Sequence, residues 1–135
     1  MLKERKISLK VESKGIFGVV ADRDRIEQVL LNLVTNAIKY GRSGGNIWIS
    51  LKKEDDTMIL SVKDDGRGIP ERDLPKLFAK EFQVKGSAKR VLGGLGYGLY
   101  ISRKILDKHH GKIWVKSSLG KGSTFYISLS KKQKV

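Results

Sequence analysis

The chain has no cysteine among its 135 residues. Disulfides and cysteine-ligated metal sites are therefore excluded, and a reducing cytosolic compartment is compatible. It also lacks any apolar run approaching the ~20 residues that a membrane-spanning helix needs. The start, MLKERKISLK, is charged with no apolar core behind it, so it does not read as a secretory signal. Histidine is scarce, with His109 and His110 adjacent in DKHHGKI. Both suit a helix C-terminus. Acids are few: 14 Asp plus Glu face 28 Lys plus Arg, for a net charge of +14. That excess admits a polyanionic partner. The basic residues are nevertheless spread along the chain, with modest clusters at LKERK and KKQKV, as on a solvated surface.

What is present is enough for one globular domain with a real core. No repeat, low-complexity segment or linker is visible. ISLKV (7–11) alternates as a half-buried strand does, and IFGVV (16–20) reads as a short apolar strand. Asp22 is placed to cap a helix running to about Tyr40, with Ile26, Val29, Leu30, Leu33, Val34, Ala37 and Ile38 as its apolar stripe. NIWISLKK and MILSVK, joined by EDDT, form a hairpin. A short helical stretch around ERDLPKLF follows, then a polar loop to about Gly94 and a helix from about Tyr97 to His109. KIWVKS, LGKG and STFYISLS make a closing hairpin. Grouped hairpins with interspersed helices indicate an α+β fold: a two-layer sandwich whose mixed sheet carries helices on one face.

Four segments carry chemistry. In QVLLNLVTNAIKYG, Asn32 and Asn36 sit one turn apart in an otherwise apolar helix, on a strip shared with Arg25 and Lys39. Asn is a poor helix former, at up to ~0.7 kcal/mol against Ala. Amide oxygens are hard ligands suited to magnesium, and a lysine beside them can meet phosphate. Two asparagines on a solvated face would look the same in the helix alone. DDGRGIP (64–70) follows an apolar strand. Gly66 and Gly68 permit close approach of a ligand, and the Asp64 carboxylate can accept from an amino group such as that of adenine. In isolation this is an ordinary Asp-Gly turn. GGLGYGLYIS (93–102) brings glycines into a helix start, where free N–H groups favour an anion. It lacks the strand-loop-helix setting of a dinucleotide fingerprint. LGKGSTF by itself is a hairpin turn.

In this order, from about Ser8 to Leu129, the segments resemble the ATP-binding catalytic domain of sensor histidine kinases. This domain belongs to the GHKL ATPase group, with its Bergerat fold, shared with type II topoisomerases, MutL and large heat-shock chaperones. NLVTNAIKY looks like the family's N box, DDGRGIP its first glycine box, LFAKEFQ its phenylalanine box, GGLGYGL its second and GKGSTF its third. The resemblance implies that Asn36 ligates Mg²⁺ on the triphosphate, with Asn32 one turn earlier beside the phosphates. Lys39 would contact phosphate and Tyr40 flank the nucleotide. Asp64 would read the adenine amino group, with Gly66, Gly68 and Ile69 in the pocket wall. Residues from about Lys80 to Gly94 would form a lid over ATP, with Gly94, Gly96 and Gly98 supplying backbone donors and clearance at its hinge and Leu95, Tyr97 and Leu99 also in the nucleotide site. Ser123 would join a hydroxyl–water network behind Asp64.

Hydrolytic members of the group carry Glu where this chain has Asn32. An amide cannot act as that base, so phosphotransfer is implied instead, to a histidine on a separate dimerisation domain of the parent kinase. A response regulator follows indirectly. The phenylalanine box departs from the family: three residues separate Phe78 and Phe82 instead of two, and Gln83 and Val84 stand where an Arg commonly follows. Lys85, Lys89 or Arg90 are the candidate replacement cations. Leu95 and Tyr97 also replace smaller or aliphatic residues. The expectation is a single catalytic domain over 1–135, cytoplasmic, with no phosphoacceptor helices of its own and a parent free to be membrane-anchored. Two alternatives remain: a regulatory module that binds nucleotide without turnover, and a basic nucleic-acid binder, for which no recognition motif is present.

Overall fold

The computed structural model describes residues 8–13, 23–42, 44–79 and 98–130. The elements run β1 (Ser8–Ser13), α1 (Arg23–Tyr40), β2 (Asn46–Glu54), β3 (Thr57–Asp64), a 3₁₀ helix (Glu71–Lys76), α2 (Gly98–Lys108), β4 (Lys112–Ser118) and β5 (Gly122–Ser130). The expected IFGVV strand and the Asp22 cap lie outside the described residues.

Two local hairpins, β2–β3 and β4–β5, account for most of the sheet. Each is antiparallel, and they join along β3 and β5, also antiparallel. β1 adds to the free edge of β2 in parallel, giving the order β1-β2-β3-β5-β4. The sheet is therefore mixed. β1 extends two residues beyond the alternating stretch in the sequence, because parallel pairing with β2 continues to Ser13↔Leu51.

Strand alternation sorts the two faces. On β5, Phe125, Ile127 and Leu129 are buried while Tyr126 and Ser128 are half-buried on the opposite side. Their core-side neighbours are Met58 and Val62 of β3 and Ile47 of β2. α1 packs against this face through Val29, Leu33, Ala37 and Ile38, which recur at helical spacing, and α2 packs through Leu99, Ile105 and Leu106. Leu31, off the stripe, is 66% exposed. Truncating a fully buried residue such as Leu33 or Leu129 to Ala costs about 2–5 kcal/mol.

Chain reversals follow local chemistry. Asp55 takes φ 54 in the β2–β3 turn, a region that Asp tolerates better than most residues. Pro75 lies in the 3₁₀ helix and lacks the N–H that an α ladder would use. α2 ends in a Schellman motif. Gly111 N–H reaches the Leu106 carbonyl at 2.8 Å and His110 N–H that of Asp107 at 3.2 Å, with His110 at φ 56. His109 places Nδ1 2.8 Å from the Ile105 carbonyl, so this histidine occupies the helix end that its position in the sequence suggested.

Candidate nucleotide site

Three pieces meet at one end of the core face: the last turns of α1, the loop after β3, and the start of α2. Asn32 makes the join between the helices. Its Nδ2 donates to the Gly98 carbonyl and to Ser102 Oγ, both at 3.2 Å. Ser102 is fully buried and small enough to let the helices approach. The N-terminus of α2, with the partial positive charge of its dipole, is thus held beside the asparagine strip of α1. Asn36 lies one turn further along and is half-buried. A Cβ built at Gly98 would sit 3.6 Å from Asn32 Cγ, an ordinary contact, so α1 itself does not demand glycine there.

At the end of α1 the lysine expected at the edge of the buried face is itself buried, with Lys39 only 5% exposed. Its ammonium lies 5.5 Å from the centroid of the Tyr40 ring, and the Arg67 guanidinium lies 5.6 Å from the same ring. Arg67 was not singled out in the sequence. Its place over Tyr40 depends on the fold of the loop that carries it.

Asp64 ends β3, paired to Ile47 on one side and Ser123 on the other. The residue is 3% exposed. Oδ1 accepts from Gly66 N–H at 2.8 Å, and the Ser123 N–H also donates to the carboxylate. Burial pushes the carboxyl up to about 6, against the pull of these two hydrogen bonds, and the neighbouring Asp65 charge pushes the same way. Asp65 behaves oppositely. Partial burial acts to raise it, but hydrogen bonds from the Asn46 side chain (3.0 Å) and backbone N–H (2.8 Å), with Arg42 beyond, hold it below the usual range. One acid is committed to structure, tying the loop to β2 and the end of α1. The other is buried at the end of a central strand.

The glycines explain how the loop sits so close. A Cβ on Gly66 would lie 2.4 Å from the Tyr40 carbonyl oxygen. Gly68 has φ +76, and a Cβ there would come within 2.1 Å of the Ser118 carbonyl oxygen. Ile69 and Leu99 are both buried in the core cluster. The Ser123 hydroxyl lies 2.7 Å from Ser117 Oγ, which also accepts from Ile69 N–H at 2.8 Å and donates to the Gly122 carbonyl at 3.0 Å. Ser117 thus anchors the loop from behind, a role set by cross-strand register and absent from the motif. Phe82, Lys85, Lys89, Arg90, Gly94, Leu95, Gly96 and Tyr97 lie outside the described residues. Among the described residues no group of three or more His, Cys, Asp or Glu could hold a metal. The hard-donor candidate is the Asn36 amide, one turn along α1 from Asn32, which contacts the start of α2. The chemistry of that donor fits a magnesium–phosphate pair. No described helix is long and apolar enough to cross a membrane.

Comparison with known proteins bears on the family and the fold. The family described as histidine kinase-, DNA gyrase B- and HSP90-like ATPase matches residues 21–133. The sensor histidine kinase WalK of Bacillus subtilis is 40% identical over 117 residues, which is 85% of this chain and 19% of WalK. Among solved structures, the catalytic domain of histidine kinase ThkA superposes with a TM-score of 0.82 at 34% identity, covering 98% of this chain and 85% of that one. ThkA in complex with the response regulator protein TrrA matches with a TM-score of 0.78 over 97% of this chain and 36% of that one. The chain thus spans about a fifth of WalK, the curated relative compared here.

Proposed function

Because this chain belongs to the histidine kinase-, DNA gyrase B- and HSP90-like ATPase family, and has the sequence and fold of a sensor histidine kinase catalytic domain, we propose that it binds MgATP and supplies the γ-phosphoryl group to a histidine on a separate dimerisation domain. The observation that carries this reading is Asp64, a buried carboxylate on the last residue of a central strand, faced by a loop that only glycine can bring so close. Such a group is an acceptor for an exocyclic amine. Two hydrogen bonds fix its orientation before any ligand arrives.

The residues divide the work by position. Asp64 accepts from the adenine amino group, and Tyr40 flanks the nucleotide. Lys39 and the α2 N-terminus meet phosphate charge. Asn36 would hold Mg²⁺, which when bound neutralises charge on the triphosphate. Asn32 supports transfer over hydrolysis, since its amide is no base and its nitrogen is already spent on Gly98 and Ser102. In the transfer, the bond from the γ-phosphorus to its bridging oxygen breaks, a bond to an imidazole nitrogen forms, and ADP leaves. Catalysis of this kind rests on positioning and charge neutralisation. A response regulator would then receive the phosphoryl group from that histidine.

Calorimetric titration of ADP, with and without Mg²⁺, tests the binding site. Saturable binding that needs magnesium and is lost in Asp64→Ala is expected, and absence of binding to the wild type would overturn the reading. Incubating the domain with ATP and a cognate dimerisation domain tests the transfer. Phosphohistidine should form. Binding without phosphohistidine would mark a regulatory nucleotide module instead.

A further inference from the structure

The helices cover one face of the sheet. On β2–β5 the opposite face carries Trp48, Lys63, Trp114, Lys116 and Tyr126, with Lys52 and Lys112 further along the strands. The lysines are exposed and the aromatic residues half-buried. Two of the lysines are positioned by rings: Lys63 Nζ lies 5.3 Å from the Trp48 ring centroid and Lys116 Nζ lies 5.6 Å from that of Tyr126. Trp114 and Tyr126 are cross-strand partners, with centroids 5.2 Å apart and planes within 7°. That separation is close to the strand spacing itself, so the rings stand side by side as upright plates. Their faces are turned to each other and to Lys116, which leaves the electropositive edges outward.

The face is polarised along the strands. Its acids, Glu54 with Asp55 and Asp56, lie at the β2–β3 turn, where Glu54 pairs with Lys52 at 3.2 Å. The other end is basic and concave. A cleft of about 190 Å³ opens there, lined chiefly by Lys63, Lys116, Ser118, Lys121 and Thr124, with Asp64 and Ser123 also on its wall. Among the described residues Lys63, Lys116 and Lys121 form no ion pair.

The geometry points to this open face as a second binding surface, adjoining the nucleotide site where Asp64 and Ser123 form part of the cleft wall, that docks a carboxylate-rich protein partner and seats one of its acidic side chains in the lysine cleft. Charge complementarity selects the partner, since two ring-positioned ammonium groups, a third lysine in the cleft and outward ring edges all favour an anion. Single-stranded nucleic acid fits less well, because stacking needs free ring faces, and here Trp114 and Tyr126 stack on each other while Lys63 and Lys116 lie against Trp48 and Tyr126. A second copy of a chain carrying +14 is opposed by its own charge.

The test uses a short fluorescein-labelled poly-glutamate peptide, with anisotropy as the readout. It compares wild type, the Lys63→Gln/Lys116→Gln/Lys121→Gln variant, and a control of equal net charge altered elsewhere, Lys76→Gln/Lys104→Gln/Lys108→Gln. The cleft variant should bind about tenfold more weakly, as expected for three ion pairs of modest strength, while the control binds like wild type. Both should keep wild-type ADP affinity, which reports that they fold. Equal binding by both variants would reduce the attraction to net charge and overturn the proposal. Competition by ADP would overturn it too, by placing the cleft within the nucleotide site. Tighter, lysine-dependent binding of oligo-dT, or of phosphatidylglycerol vesicles, would reassign the surface and reject a protein partner.

Discussion

Asp64 should make adenine recognition depend on pH with a midpoint that belongs to this one residue. Burial raises its carboxyl to about 6 in the folded domain, against 3.8 for an ordinary aspartate. Between those values the folded state holds a proton that the unfolded state has already released. Stability therefore falls as pH rises through this window and stays lower above it. The shift corresponds to about 3 kcal/mol. The ionised carboxylate is the better acceptor for the amine, so ligand affinity should move the opposite way, rising with pH. If only the ionised form binds, affinity at about pH 5 should be roughly tenfold weaker than on the plateau above about pH 7. Adenosine is the suitable ligand because it has no phosphate to titrate. NMR titrations across this range would give the affinity, and the Asp64 carboxyl carbon would report its own midpoint, which adenosine should pull downward. Asp64→Asn should lose both the binding and the acid-range stability change, and at neutral pH it should be no less stable than wild type. Adenosine affinity that stays flat between about pH 5 and 7.5, while the Asp64 carbon titrates, would refute the assignment of this carboxylate as the adenine acceptor.

The two asparagines should separate in their effects. Asn32→Ala removes both hydrogen bonds to the start of α2 and should lower stability by about 1–2 kcal/mol in urea denaturation. Asn36→Ala should change stability by less than about 0.5 kcal/mol yet abolish the magnesium dependence of ADP binding in calorimetry. Gly68→Ala combines positive φ with a clash against the Ser118 carbonyl, and should cost at least about 2 kcal/mol by urea denaturation. His110→Gly relieves a left-handed residue at the end of α2 and should stabilise by about 1 kcal/mol. A thermal melt should show this as a rise of about 4 °C.

Features with a local cause were legible in the sequence. The β2–β3 hairpin follows from the alternation of Ile47, Ile49 and Leu51 around a polar turn, and the buried stripe of α1 from residues three and four apart. Leu31 falls outside that stripe and is exposed. What could not be seen depends on register between distant segments. Parallel pairing of β1 with β2 leaves no local signal. Ser117 matters because β4 and β5 align it with Ser123, and Asp65 because Asn46 and Arg42 converge on it from other elements. Motif order brought Asp64 and Gly66 forward, but the dryness that shifts Asp64 comes from the packed fold. Lysine is rarely buried, so the 5% exposure of Lys39 was hidden as well.

The β3–β5 seam has a consequence for assembly. Each hairpin can form from neighbouring chain, whereas the seam joins residues far apart in sequence and must close a long excursion to do so. Asp64 belongs to one hairpin, and the Ser123 N–H that orients it belongs to the other. If Asp64 is the adenine acceptor as proposed, a half-assembled sheet offers no complete one. Nucleotide would then select the finished domain and act as a reversible clasp across this non-local junction, so the hydrogen-exchange protection it confers should be greatest along β3 and β5.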